Sequence, residues 1–146
     1  MSNMYSNTDG SIVSVQSQSA TVSTKMLWIG RAVSALVVLF LIFDGVIKVL
    51  KLAPAVDATV QLGYAERLVL VIGVLELVCL AAYIFPPTSV LGAILLTGYL
   101  GGAIATHVRM GSSLFSIIFP IMLSALIWGG LFLRDARLRA LIPLRT

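Results

Sequence analysis

The sequence predicts an all-α protein, a four-helix transmembrane bundle with a short interfacial helix between helices one and two. Three observations predict it. Of the 146 residues, 59% are hydrophobic and only 11% are charged, where a soluble domain is about half apolar and a quarter charged. Mean hydropathy is +1.04. Four apolar runs are separated by short polar or proline-bearing breaks. A span needs roughly 20 apolar residues, so this length accommodates four spans in one bundle.

The chain divides in two. Residues 1–24 are rich in Ser, Thr, Asn and Gln and carry no Lys or Arg. Such a stretch cannot bury enough apolar surface to fold, so a disordered polar tail is expected. It lacks the positive start of a signal peptide. Residues 25–146 form the membrane domain, with spans at about 26–50, 67–85, 89–108 and 114–133.

Helix one opens with Lys25, Trp28 and Arg31, residues suited to an interface. Its dry section, Ala32–Phe43, is broken only by Ser34. Asp44 and Lys48 follow, four apart on one face and able to pair. The connection Lys51–Arg67 holds Pro54, Asp57 and Gly63, which suit the start and end of a short helix. Val56 and Val60 are expected on its apolar side, with Tyr64 at headgroup level.

Helix two carries Glu76 at its centre and ends at Pro86-Pro87. Helix three is LGAILLTGYLGGAIATHVR, Leu91–Arg109. Ala93, Thr97, Gly101 and Ala105 recur every fourth residue, with Gly98 and Gly102 beside them. Small side chains on one face let a neighbouring helix approach closely, so this helix is expected at the centre of the bundle. Tyr99 and Thr106 are expected to hydrogen-bond to other helices. Helix four holds Pro120 and Gly129-Gly130. The tail beyond it is basic, with Leu138, Leu141 and Ile142 on one side and a four-apart Asp135–Arg139 pair.

Charged groups inside a span must face the interior and find partners. Glu76 lies roughly 13 Å along its helix at 1.5 Å per residue. Lys48 is long enough to reach it, and His107 and Arg109 come from the same side. Glu76, Asp44, Lys48, His107 and Arg109 therefore form the candidate polar site. Two readings stand side by side. The cluster is a binding or proton-handling site, since histidine titrates near neutrality. Alternatively, it is a set of ion pairs that fixes helix register.

Other chemistries find little support. No paired His or Glu-x-x-His suggests a metal site. His107 has no second histidine for haem. Cys79 is the single cysteine, so no internal disulfide and no CxxC exist. The net charge of +4 sits at helix ends and in the tail. Anionic lipid accounts for it, and nucleic acid is not expected as a partner.

The order of FDGVIKVL, QLGY, GVLELVCL, GAILLTGYLGGAIATHVR, LFSIIFP and WGGLFLRDARLRALIPLR resembles the DoxX-like membrane protein family over about residues 40–145. The resemblance implies a four-helix bacterial inner-membrane protein. The family is named for a membrane subunit of a thiosulfate:quinone oxidoreductase. It therefore implies quinone or sulfur redox chemistry for distant relatives, with quinone as the cofactor and a redox partner subunit. Many relatives carry a histidine just before the Phe-Pro of helix four. Here Ser116, Ile117 and Ile118 stand there. A non-enzymatic interaction protein and a small-solute or proton-coupled carrier built as a homo-oligomer are the alternative functions.

Orientation follows from counting Lys and Arg. Four spans put both termini on one side, with Lys25, Arg31, Arg134, Arg137, Arg139 and Arg145. Lys48, Lys51, Arg67 and Arg109 fall on the other. The excess predicts cytoplasmic termini.

Overall fold

The computed structural model describes residues 24–135 and Leu138. The expected polar tail therefore lies outside the described residues, apart from Thr24. Arg139, Leu141 and Ile142 lie outside them too, whereas Leu138 is buried. The elements are α1 (Thr24–Val49), α2 (Ala53–Gln61), α3 (Leu68–Ile84), a 3-10 turn (Pro86–Thr88), α4 (Ser89–Arg109) and α5 (Leu114–Arg134). No strand occurs among the described residues.

Each long helix turns one stripe inward. On α1 the buried residues are Gly30, Ser34, Val37, Leu41 and Gly45. On α3 they are Val69, Gly73, Glu76, Cys79, Leu80 and Tyr83. Steps of three and four keep them on one side of a 3.6-residue helix. The opposite sides carry large exposed apolar residues, such as Leu36, Phe43, Val78, Ile94 and Phe115. That pattern suits helices whose outer surface meets lipid.

The helices form a ring. α1 packs against α3 and α5, and α4 packs against the same two. None occupies the centre, which corrects the expectation for α4. Ala93 is fully buried, but Thr97, Gly98, Gly101, Gly102 and Ala105 are exposed. A Cβ added at Gly98, Gly101 or Gly102 would meet nothing within 4 Å. The reason is helical geometry: a four-residue step on a 3.6-residue helix drifts by about 40°. The row that starts inward at Ala93 has turned outward by Gly101.

Close approach occurs elsewhere. A Cβ on Gly92 would run into the backbone of Tyr83 and Ala82, so the α3–α4 hairpin can close only over glycine. A Cβ on Gly73 would stand 2.7 Å from Lys48 Cβ and 3.0 Å from the Gly45 carbonyl. Gly45 and Gly73 thus draw α1 onto α3.

Three segments are long and apolar enough to cross a bilayer: α1, α4 with its preceding 3-10 turn, and α5. α3 is apolar but has 17 residues. At 1.5 Å per residue it covers about 25 Å, short of the roughly 30 Å hydrocarbon core. α2 forms as expected, with Pro54 in its first turn and Gly63 at φ 83° just beyond its end. The side it turns to the rest of the protein is Ala55 and Thr59, and Val60 is exposed. Pro120 lies inside α5, which continues through it.

The two halves of the bundle differ. Towards the chain termini, Val37, Tyr83, Ala93, Ile127 and Leu131 are almost fully buried. Tyr83 donates to the Ile127 carbonyl at 3.1 Å, and its hydroxyl also meets Ser34 Oγ at 3.2 Å. Towards α2 the interior is hollow.

Candidate functional site

The polar site begins with two residues one helical turn apart. Asp44 and Lys48 share a face of α1, and Lys48 Nζ lies 2.5 Å from Asp44 Oδ2. Because Gly73 leaves room beneath Lys48 Cβ, the side chain crosses to α3 and meets Glu76 Oε2 at 2.9 Å. A third partner comes from α4: Lys48 Nζ lies 3.2 Å from the Tyr99 hydroxyl. Tyr99 in turn donates to Glu76 Oε2 at 2.8 Å. Lys48 Nζ also stands 5.8 Å from the centre of the Tyr99 ring.

An ammonium has three N–H donors, and here each has an acceptor. Lys48 is 16% exposed, Asp44 32% and Glu76 not at all. Bringing ions into such a setting is costly unless each is paired and hydrogen-bonded. One oxygen escapes that rule. Glu76 Oε1 is buried and has no hydrogen-bond partner. An orphaned buried acceptor costs about 1–3 kcal/mol, and more when charged.

The cluster borders a cavity of about 950 Å³. Its lining runs from Leu41, Cys79, Leu95 and Leu123 in mid-bundle to Pro54, Gln61 and Met110 at the α2 end. Asp44, Lys48, Glu76 and Tyr99 all contribute to the wall. Gly98 and Gly102 line it as well. Their missing side chains leave open volume instead of admitting another helix.

Asp44, Lys48 and Glu76 are thus brought together, and His107 and Arg109 are not. His107 Nδ1 lies 3.1 Å from Ser112 Oγ in the turn after α4, although the residue also lines the cavity. Arg109 is exposed and donates to the Leu62 carbonyl at 3.4 Å. Both sit at the last turn of α4, too far along the axis to reach mid-span. Tyr99 bonds to other helices, as expected, whereas Thr106 bonds to a residue outside the helices. Thr106 Oγ1 meets the Tyr64 hydroxyl at 2.8 Å, tying the segment after α2 to α4.

Tyr99 was not among the expected site residues. A signal existed: Tyr99, Ala103, Thr106 and His107 share one face of α4, and that face lines the cavity. Among the described residues, no three His, Cys, Asp or Glu side chains gather as a metal site would require. Cys79 is a buried free thiol.

Residues 32–130 match the sequence model of the DoxX-like family. No curated protein and no solved structure matches the chain. The matched segment holds all four residues of the cluster and every residue lining the cavity. The chain belongs to the DoxX-like family.

Proposed function

We propose that this DoxX-like protein is a four-span bacterial inner-membrane protein that holds a small, largely apolar molecule inside its bundle. The observation that carries the proposal is the cavity of about 950 Å³ that reaches the Asp44–Lys48–Glu76–Tyr99 cluster. Its size lies within the range of small-molecule pockets, and it combines apolar walls with a few convergent polar groups. With cytoplasmic termini, the cavity faces the outer leaflet.

A membrane subunit of a quinone-linked redox system is one finer form of this reading, since the apolar walls would take a quinone's ring. That finer assignment rests on the family resemblance. A carrier is a further form of it and requires Glu76-dependent uptake into liposomes. The test of the shared core is direct. Protein purified in mild detergent is denatured, and the released small molecules are identified by mass spectrometry. A stoichiometric organic molecule is expected from the native chain and is expected to be lost from Gly98→Leu, which fills the cavity. A bundle that releases lipid and detergent only, in both forms, overturns the reading.

One observation favours a second reading. All three donors of Lys48 are already spent on protein partners. A cluster built to fix helix register would look similar, and the protein would then act as a membrane interaction partner. Co-purification with another protein, with an empty cavity, would support it.

A further inference from the structure

With both carboxylates ionised, the unspent hydrogen-bonding capacity of the cluster is all acceptor. Lys48 directs its N–H groups to Asp44, Glu76 and Tyr99. Tyr99 directs its O–H to Glu76 Oε2. What remains is acceptor: Glu76 Oε1 has no partner, and the partly exposed Asp44 carboxylate borders the same space. The ionised cluster holds two carboxylates and one ammonium, so it is one positive charge short. Among the described residues, the remaining His, Lys, Arg, Asp or Glu lining the cavity is His107, which is engaged with Ser112. In an apolar wall, a missing donor and a missing positive charge are both costly.

We propose that the cavity takes a molecule with a protonated amine at one end and an apolar body, the ammonium seated between Asp44 and Glu76. The inference deepens the small-molecule reading and rests on it. The ligand's ammonium meets the partly exposed Asp44 carboxylate first, reaches Glu76 Oε1 once that buried side chain turns towards the cavity, and balances the second carboxylate, while its apolar body occupies the space beside Gly98. A neutral acceptor such as a quinone carbonyl would find no free donor in the ionised cluster. A carboxylate would meet like charge.

The test uses the full chain in lipid nanodiscs and three probes of one shape: 4-phenylbutylammonium, 4-phenylbutanol and 4-phenylbutanoate. Binding is read by calorimetry against empty nanodiscs. The ammonium is expected to bind at least tenfold more tightly than the alcohol, and the carboxylate not to bind. Glu76→Gln is expected to remove most of that preference, and Asp44→Asn part of it. Gly98→Leu is expected to weaken all binding. If Glu76→Gln does not fold, the charge series on the unaltered protein still decides. Equal binding of ammonium and alcohol, lost in Gly98→Leu, overturns the ammonium inference but leaves the cavity reading intact. Tighter binding of a short-chain ubiquinone analogue than of the ammonium does the same and favours a quinone. No binding of any probe, with Gly98→Leu indistinguishable, overturns both and leaves the Glu76 oxygen to water.

Discussion

Lys48 and Glu76, 28 residues apart in the chain, meet at 2.9 Å through a contact that only the glycine pair Gly45 and Gly73 permits. The pair ties α1 to α3 inside the apolar part of the bundle. Its energetics are therefore those of a buried ion pair, where losing one partner is worse than losing both.

Removing either partner alone is expected to cost about 3–5 kcal/mol, because the other charge is left buried. Lys48→Met and Glu76→Leu should each lower the unfolding midpoint in detergent. The double variant should recover much of the loss, giving a coupling energy of a few kcal/mol. Additive losses would show that the pair contributes no direct coupling. Strong coupling together with an empty cavity would favour the register reading.

The glycines should separate by location, not by sequence pattern. Gly92→Ala places a Cβ against the Tyr83 backbone, which cannot yield as a side chain can. Its cost should lie at or above the upper end of roughly 1–3 kcal/mol for overpacking. Gly101→Ala meets open space and should stay within about 0.5 kcal/mol of the parent. Thermal unfolding of the two variants in one detergent checks this. Comparable losses would mean that α4 is packed on its outer side as well.

Tyr83 anchors the solid half. Its hydroxyl bridges the Ile127 carbonyl on α5 and Ser34 on α1, with the side chain fully buried. Tyr83→Phe should cost about 1–2 kcal/mol through the lost hydrogen bonds. Adding Ser34→Ala should cost little more, because the two share one interaction. A second full loss in the double variant would show that Ser34 acts independently.

Topology follows from the charge count. Reporter fusions after Lys51 should report the periplasm, and fusions at Thr146 the cytoplasm. The Lys51 result also bears on the cavity, whose lining includes α2. Fusions reporting the same side at both points would mean that α3 does not cross, a relevant outcome for a helix of 17 residues.

Composition and spacing determined a good deal by themselves. A hydrophobic share of 59% fixes the solvent as lipid. Apolar run length and the prolines at 54, 86 and 87 fix where helices begin and end. The four-residue step from Asp44 to Lys48 fixes a local ion pair, and mid-helix Glu76 announces a buried acid. These are one-dimensional facts, set by backbone hydrogen bonding and the cost of charge in hydrocarbon. Which faces meet is not one-dimensional. The small-residue row on α4 looked like a packing seam, yet the ring turns Gly98 and Gly102 into a cavity wall and Gly101 outward. Gly45 and Gly73 carry no periodic signal, and they set how closely α1 meets α3. Tyr99 joins the cluster, while His107 and Arg109 stay at the last turn of α4. Each depends on the rotation of one helix about its axis relative to its neighbours. Apolar residues on all sides of these helices leave that rotation undetermined, and only side-chain packing between helices resolves it.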